Sequence, residues 1–334
     1  MDIYFSHART ALKYGLLALE FEREDELLVP AFICDVVIHP LDVLGVVPKY
    51  YPVFPSLQPD WNALSTMVTR KTRGMMIVHY FGQPQDLEQS RKFCQENGIK
   101  LIEDNAHGYG GTYGGRLLGS FGNIGISSPR KSFGWRNGGI LHLNTEVAPP
   151  LEKLPVQPGS LRWKSRRILK KVLYPVLKVR NRLKKMPDYT SEEIGRESPI
   201  PSWAMDSECV RMIESRKMEL DTLIARRRAI WEIWQHWATR IHLSPIFDEL
   251  SPGANPLVFP IRTQSIEESR RWFRWGWERR INVHSWPTLP REIVENDSYT
   301  LNLWKTMVCF SIEVEMETET LKANLENQKG MKRI

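Results

Sequence analysis

Lys131 sits in the run Ser128-Pro129-Arg130-Lys131, seven residues before Gly138-Gly139, and 27 residues after Asp104 in Leu101-Ile102-Glu103-Asp104-Asn105-Ala106-His107. A lysine held near a strand edge can form a Schiff base with an aldehyde cofactor, and an acid at a neighbouring strand end can bind a pyridinium nitrogen. Pyridoxal phosphate needs both groups. The spacing alone is also met by a turn-capping aspartate and a solvated surface lysine, so the two readings stand side by side at this point.

The elements around these residues decide whether they can meet. Met75 to Tyr80 and Leu101 to Glu103 read as buried strands, with a helix pattern over Asp86 to Asn97 closed by Gly98 between them, the outline of a βαβ unit. This puts Asp104 just past the carboxyl end of a strand, where open α/β sheets bind ligands. Residues 108 to 122 hold seven glycines and allow close backbone approach to a ligand. Ser6 to Glu20 has helical spacing, and Leu27 to Pro30, Val46 to Tyr51, Ile124 to Ser127 and Ile140 to Leu143 are further strand candidates. A Pro-rich stretch from Ala148 to Pro158 reads as a linker. Beyond Pro199, a long helix over Glu208 to Ile241 carries Arg226-Arg227-Arg228 with Trp231, Trp234 and Trp237. Strands at Leu257 to Ile261, Ile281 to His284 and Met307 to Ile312, with a helix at Ile266 to Arg279, complete the pattern.

The chain of 334 residues is 42% hydrophobic and 25% charged, which is globular composition. No uncharged apolar run approaches the roughly 18 residues that span a bilayer, and Met1-Asp2-Ile3-Tyr4 does not open a secretory signal. A cytoplasmic protein, at most peripheral to a membrane, is expected. Cys34, Cys94, Cys209 and Cys309 lie far apart, which argues against a zinc ribbon or a disulfide framework. The net charge of +7 is concentrated: Leu161 to Met186 holds eleven Lys or Arg and no acid, so the rest of the chain is net acidic.

The order of these segments resembles the DegT/StrS family of nucleotide-sugar aminotransferases that depend on pyridoxal 5'-phosphate. The resemblance covers most of residues 4–145. Ser6-His7-Ala8-Arg9-Thr10-Ala11-Leu12 is similar to the family's S-x-G-R-x-A-L, Val29-Pro30-Ala31-Phe32 to its next strand end, and His79-Tyr80-Phe81-Gly82-Gln83-Pro84 to its H-x-x-G-x-P. Leu101 to His107 resembles L-I-E-D-x-A-[HQ], Gly119 to Gly125 resembles G-S-F-G-D-x-G, and Ser128 to Lys131 with Gly138-Gly139 resembles S-x-R-K followed by G-G.

The resemblance implies an α/β fold of the fold type I class, with a mostly parallel central sheet flanked by helices in a large domain and a smaller C-terminal α/β domain. With the Pro-rich linker and the second region from Pro199, the expected division is 1–147 for the cofactor domain, 148–198 for a linker and basic excursion, and 199–334 for the long helix and small domain. It makes Lys131 the Schiff-base lysine and Asp104 the partner of the ring nitrogen. His107 would lie beside the phenolic oxygen, Ser128 would contact the phosphate, and Ala8 and Arg9, opening the first helix, would cradle it. For His107 and Ser128 a structural hydrogen-bond role is the competing reading. Arg279 to Pro287 is similar to the family's R-G-I-x-V-x-x-W-P, which makes His284 and Trp286 substrate-contact candidates, against packing and turn roles. The family also implies a homodimer, an amino-acid donor such as glutamate, and a keto-sugar nucleotide acceptor. Two departures favour an alternative, a catalytically altered relative acting as a membrane-associated scaffold or regulator. Cys34 stands where many members carry an aromatic residue, with Phe32 as a possible substitute, and the family's N-x-R element is missing from Pro199 to Asp206. A dehydratase is disfavoured because that version replaces the lysine with histidine.

The basic stretch has apolar residues near helical spacing, including Ile168, Val172, Val176 and Leu183, and Pro175 kinks any helix there. Such a pattern suits an anionic membrane surface, with Arg166, Arg167, Lys170 and Lys171 as contacts. Nucleic acid is the less favoured partner, since no binding motif accompanies the charge, and a solvated excursion is the plain alternative. Sedimentation with anionic vesicles is expected to be strong at low salt and to weaken as the Debye length falls from about 10 Å at 0.1 M to about 3 Å at 1 M. Changing those four residues to Glu should abolish it. Equal sedimentation with neutral vesicles would show that charge is not the attractant.

Overall fold

The computed structural model describes residues 1–135, 137–147, 149–150, 154–156, 186–189, 202–312 and 318–326. Arg166, Arg167, Lys170 and Lys171 lie outside the described residues, as does most of the basic stretch.

Nine strands precede residue 144: β1 (Asp2–Phe5), β2 (Glu26–Pro30), β3 (Val47–Tyr51), β4 (Thr72–Val78), β5 (Lys100–Asn105), β6 (Thr112–Tyr113), β7 (Arg116–Leu117), β8 (Ile124–Ser127) and β9 (Gly139–Leu143). Seven of them form one sheet in the order β1-β9-β8-β5-β4-β2-β3. From β3 across to β8 every pairing is parallel, whereas β9 runs antiparallel to both β8 and β1. The apolar runs Leu27-Leu28-Val29, Met75-Met76-Ile77-Val78 and Leu101-Ile102 are buried, as strands covered on both faces must be.

Helices α1 (Ala8–Ala18), α2 (Ile38–Leu44), α3 (Trp61–Ser65), α4 (Leu87–Glu96) and α5 (Pro129–Phe133) connect these strands. The α4 boundaries follow from local chemistry. The Asp86 carboxylate accepts from the Gln89 amide at 2.9 Å, and Gly98 takes the left-handed conformation just beyond the helix. Strand β5 runs two residues further than the apolar pattern suggests. Asp104 is therefore not past the strand end but inside it, paired with Val78 and Ile126.

The second half begins with α6 (Ser207–Arg216) and α7 (Leu220–Arg240), separated by a 3-10 turn at Lys217–Glu219. The single helix expected over Glu208 to Ile241 is thus broken, because its two parts serve different cores. Cys209 and Ile213 of α6 pack with Tyr109, Ile140 and Met205, while Trp231, Trp234 and Trp237 of α7 pack on a second sheet. That sheet is antiparallel throughout, in the order β10 (Ser244–Pro245), β11 (Val258–Arg262), β13 (Met307–Ser311) and β12 (Val283–His284). Helix α8 (Ile266–Arg279) adds Trp272 and Trp275 to the same core, and the Trp234 ring stacks on Phe310 at 4.6 Å. The tryptophans of α7 are therefore interior residues of one chain.

Helices α9 (Arg291–Asn296), α10 (Ser298–Thr306) and α11 (Thr318–Glu326) complete the described elements. The segment after β12 returns to the first core: Trp286, Leu289, Ile293, Leu303 and Trp304 are buried with residues of the seven-stranded sheet. The two sheets are separate, but their packing is shared. Among the described residues, no helix is long and apolar enough to cross a membrane.

Candidate active site

Successive residues of a strand point to opposite faces, and β5 places two acids next to each other with different tasks. Glu103 is fully buried. Its carboxylate accepts from His79 Nε2 at 3.1 Å and from the amides of Gly119, Phe121 and Gly122 at 2.9, 2.5 and 2.6 Å. Burial pushes its pKa upward, but the His79 contact and the backbone donors outweigh that and hold it below the ordinary value of 4.5. The Gln85 amide donates to His79 Nδ1 at 3.1 Å, so the ring proton lies on Nε2, facing Glu103. One buried charge thereby ties the end of β4 to the Gly-rich loop that leads into β8.

Asp104, next along, faces a cavity of about 210 Å3 at the carboxyl ends of the parallel strands. His7, Ala8 and Arg9 at the start of α1, Cys34 and Asp35 after β2, His107, Ser128, Arg130 and Lys131 line it as well, and Trp286 comes in from the second half. Asp104 accepts from the Ala106 amide at 2.9 Å. Burial raises its pKa above the ordinary carboxylate value, against the pull of the Lys131 charge. Burial, and then Lys131, hold the His107 imidazole well below its usual range, so it is neutral. Burial pushes the half-buried Cys34 thiol up to about 12, again with Lys131 opposing. All three groups feel the charge of Lys131, an exposed residue that lines the same cavity.

Each wall has a local cause. His107 Nδ1 accepts from the Phe81 amide at 3.2 Å, its ring stacks on Phe81, and Trp286 closes on both edge-on. The Trp286 indole N–H is buried without a hydrogen-bond partner. The first turn of α1 has no side-chain cap, since its N-cap residue His7 makes none, so the helix presents its positive end toward the cavity. Gly139 lets that turn approach β9: a Cβ there would lie 2.1 Å from His7 C and 2.4 Å from Ala8 N. Ser128 caps the one-turn helix α5 by position, and its hydroxyl donates to the Gly138 carbonyl at 3.3 Å.

The structure thus gathers Ala8, Arg9, Asp104, His107, Ser128, Lys131 and Trp286 around one cavity. His284 does not line it; on β12 it stands opposite Cys309 of β13. Phe32 does not line it either, because the chain leaves the strand at Pro30, and its ring packs on Trp286 at 4.9 Å and near Tyr80. The His79–Glu103 pair was not among the sequence candidates. Its signals were an acid closing an apolar run and the place of both residues in the family-like segments His79 to Pro84 and Leu101 to His107.

The DegT/DnrJ/EryC1/StrS aminotransferase family model matches residues 3–173, just over half of the chain. A GDP-perosamine synthase from Vibrio cholerae is 29% identical over 145 residues, which is 42% of this chain and 40% of that enzyme. The chain therefore aligns with well under half the length of this relative. Among solved structures, the aminotransferase TlmJ from Streptoalloteichus hindustanus superposes with a TM-score of 0.71 at 17% identity, over 98% of this chain and 85% of that one. Helicobacter pylori PseC, an aminotransferase involved in the biosynthesis of pseudoaminic acid, gives 0.71 at 12% identity over 98% and 86%. The likeness extends over both sheets and shows the fold these enzymes share.

Because the folded-state pKa of Glu103 is lowered, its ionised form contributes fully above pH 4.5, and that contribution is lost as pH falls through the lowered value. Glu103→Gln is expected to cost about 3–5 kcal/mol in denaturant unfolding at neutral pH. The gap between parent and variant should narrow in acid. An equal gap at every pH would show that the ionised form is not what the fold uses.

Proposed function

Since the chain belongs to the DegT/DnrJ/EryC1/StrS aminotransferase family, we propose that it is a pyridoxal-phosphate-dependent aminotransferase that moves an amino group, from glutamate, to a keto-sugar carried on a nucleotide. Its place is surface-polysaccharide or amino-sugar biosynthesis, in keeping with the name of its Vibrio cholerae relative. The observation that carries the reading is the sharing of one cavity by Lys131, Asp104 and the uncapped start of α1.

The residues present suit the cofactor. When bound, pyridoxal phosphate supplies an aldehyde that reacts with amines and a ring that withdraws electrons. The α1 amides and Arg9 bind its phosphate, as helix N-termini favour anions. Asp104, whose pKa burial already raises, would gain a cationic partner in a protonated ring nitrogen placed beside it. Neutral His107, with its proton on Nε2, offers a donor to the phenolic oxygen. Lys131 Nζ takes and returns the substrate's proton. Trp286 and Phe81 keep water from that side of the cavity, and Trp286, which lines it, is the candidate substrate contact from the second half of the chain.

The working form in this reading is a homodimer in the cytoplasm, with the basic stretch around 161–186 as a contact for anionic membrane.

Protein incubated with pyridoxal phosphate is expected to show a visible band that borohydride removes, with the cofactor's mass fixed on the Lys131 peptide. Lys131→Ala should show neither, and a band surviving in that variant would overturn the assignment. Asp104→Asn should keep cofactor but slow the half-reaction with glutamate by about 10²-fold or more, because an amide cannot balance the ring's positive charge. A parental rate in that variant would remove Asp104 from the role.

A further inference from the structure

Helix α5, which carries Lys131, is five residues long and too short to hold its shape alone. The carbonyls at its C-terminal end lack partners within the helix and must find them elsewhere. The Ser132 carbonyl, on the residue next to Lys131, finds one across 95 positions of sequence: Arg227 Nη2 of α7 donates to it at 2.9 Å. Arg227 is buried with only 3% of its surface exposed, and its Nη1 donates to Asn255 Oδ1 at 3.2 Å. Asn255, fully buried, passes the connection on by donating to the Tyr109 carbonyl in the Gly-rich loop at 2.7 Å. The neighbouring Arg228 fixes the loop that carries Asn255, donating to the Ser251 and Ala254 carbonyls at 2.9 and 3.1 Å. Arg227 thus joins the lysine helix to Asn255 through charge-assisted hydrogen bonds, the stronger kind, and a neutral bond from Asn255 carries the connection to the Gly-rich loop. A cation at a helix C-terminus is also favoured by the helix dipole.

We infer that Arg227, anchored by Asn255, is a positioning residue that holds α5 so that the Lys131 amine stands in the cavity. This rests on the reading of Lys131 as the reacting amine, and it is testable without the cofactor. Lys131 reactivity is measured by acetylating cofactor-free protein with N-hydroxysulfosuccinimide acetate from neutral to alkaline pH. Peptide mass spectrometry reads the rate at Lys131 against the exposed Lys71 and Lys92 as internal standards.

In Arg227→Gln, the Lys131 rate or its pH midpoint should change by about threefold or more relative to the standards, and the rate of band formation with pyridoxal phosphate should fall by about tenfold, since small misplacements carry large rate penalties. Arg227→Lys keeps the charge, but its single head cannot span both acceptors, so it should restore part of each effect. Asn255→Ala should move both readouts in the same direction by less. Where the Gln variant does not fold, the Lys and Ala variants carry the test. Parental acetylation and parental band formation in the folded variants would overturn the inference. Altered acetylation of Lys131 in a protein whose parent never forms the band would uphold the positioning role and defeat the cofactor reading instead.

Discussion

A single carboxylate, Glu103, organises the ground on which the site stands. Placing an ion in the interior is unfavourable unless most of its hydrogen-bonding capacity is met, and here four donors meet it, three of them backbone amides of the loop before β8. The loop cannot shift without exposing that charge to an apolar interior. Through Gly119, Phe121 and Gly122 the carboxylate fixes where β8 begins, and β8 leads directly into Ser128 and the lysine helix. Through His79 it fixes the end of β4, where Phe81 begins the wall against His107 and Trp286. The acid that faces the cavity, Asp104, can be left under-satisfied because its neighbour is not.

The second half of the chain is more than an appended layer. Its antiparallel sheet has its own aromatic core, yet Trp286 and the helices that follow are buried with the first sheet. The Leu257 amide donates to the Phe81 carbonyl, and Gln83 exchanges hydrogen bonds with Ser251. The cavity is therefore made of surfaces contributed by both halves. Only a fold in which the halves pack in one arrangement gives Trp286 its place there.

Much of this could be read from residue order. The parallel strands are legible because doubly covered strands must be continuously apolar, and α4 because an Asp cap and a Gly stop bracket it. The segment resemblance brought Ala8, Asp104, His107, Ser128 and Lys131 into one list, and the fold brings them to one cavity. What escaped has physical causes. The break at Lys217–Glu219 has no Gly or Pro to announce it; it exists because α6 and α7 serve different cores. The direction of Phe32 depended on whether a strand continued past Pro30, a tertiary matter. Arg227 was visible only as one of three consecutive arginines, and nothing local distinguishes the buried one from its exposed neighbour Arg226.

The place of β1 has a consequence for how the chain acquires its shape. In the sheet it pairs with β9, with Asp2 opposite His142 and Phe5 opposite Gly139. Contacts of such long sequence separation close late and slowly. Strands β2, β3, β4 and β5 pair without help from the opening strand, whereas the first turn of α1 packs directly on Gly139. The α1 end of the cavity thus depends on a contact between segments far apart in the sequence. A partly folded chain would hold a nearly complete sheet with an unpaired edge, the kind of surface that recruits chaperones or other copies of itself.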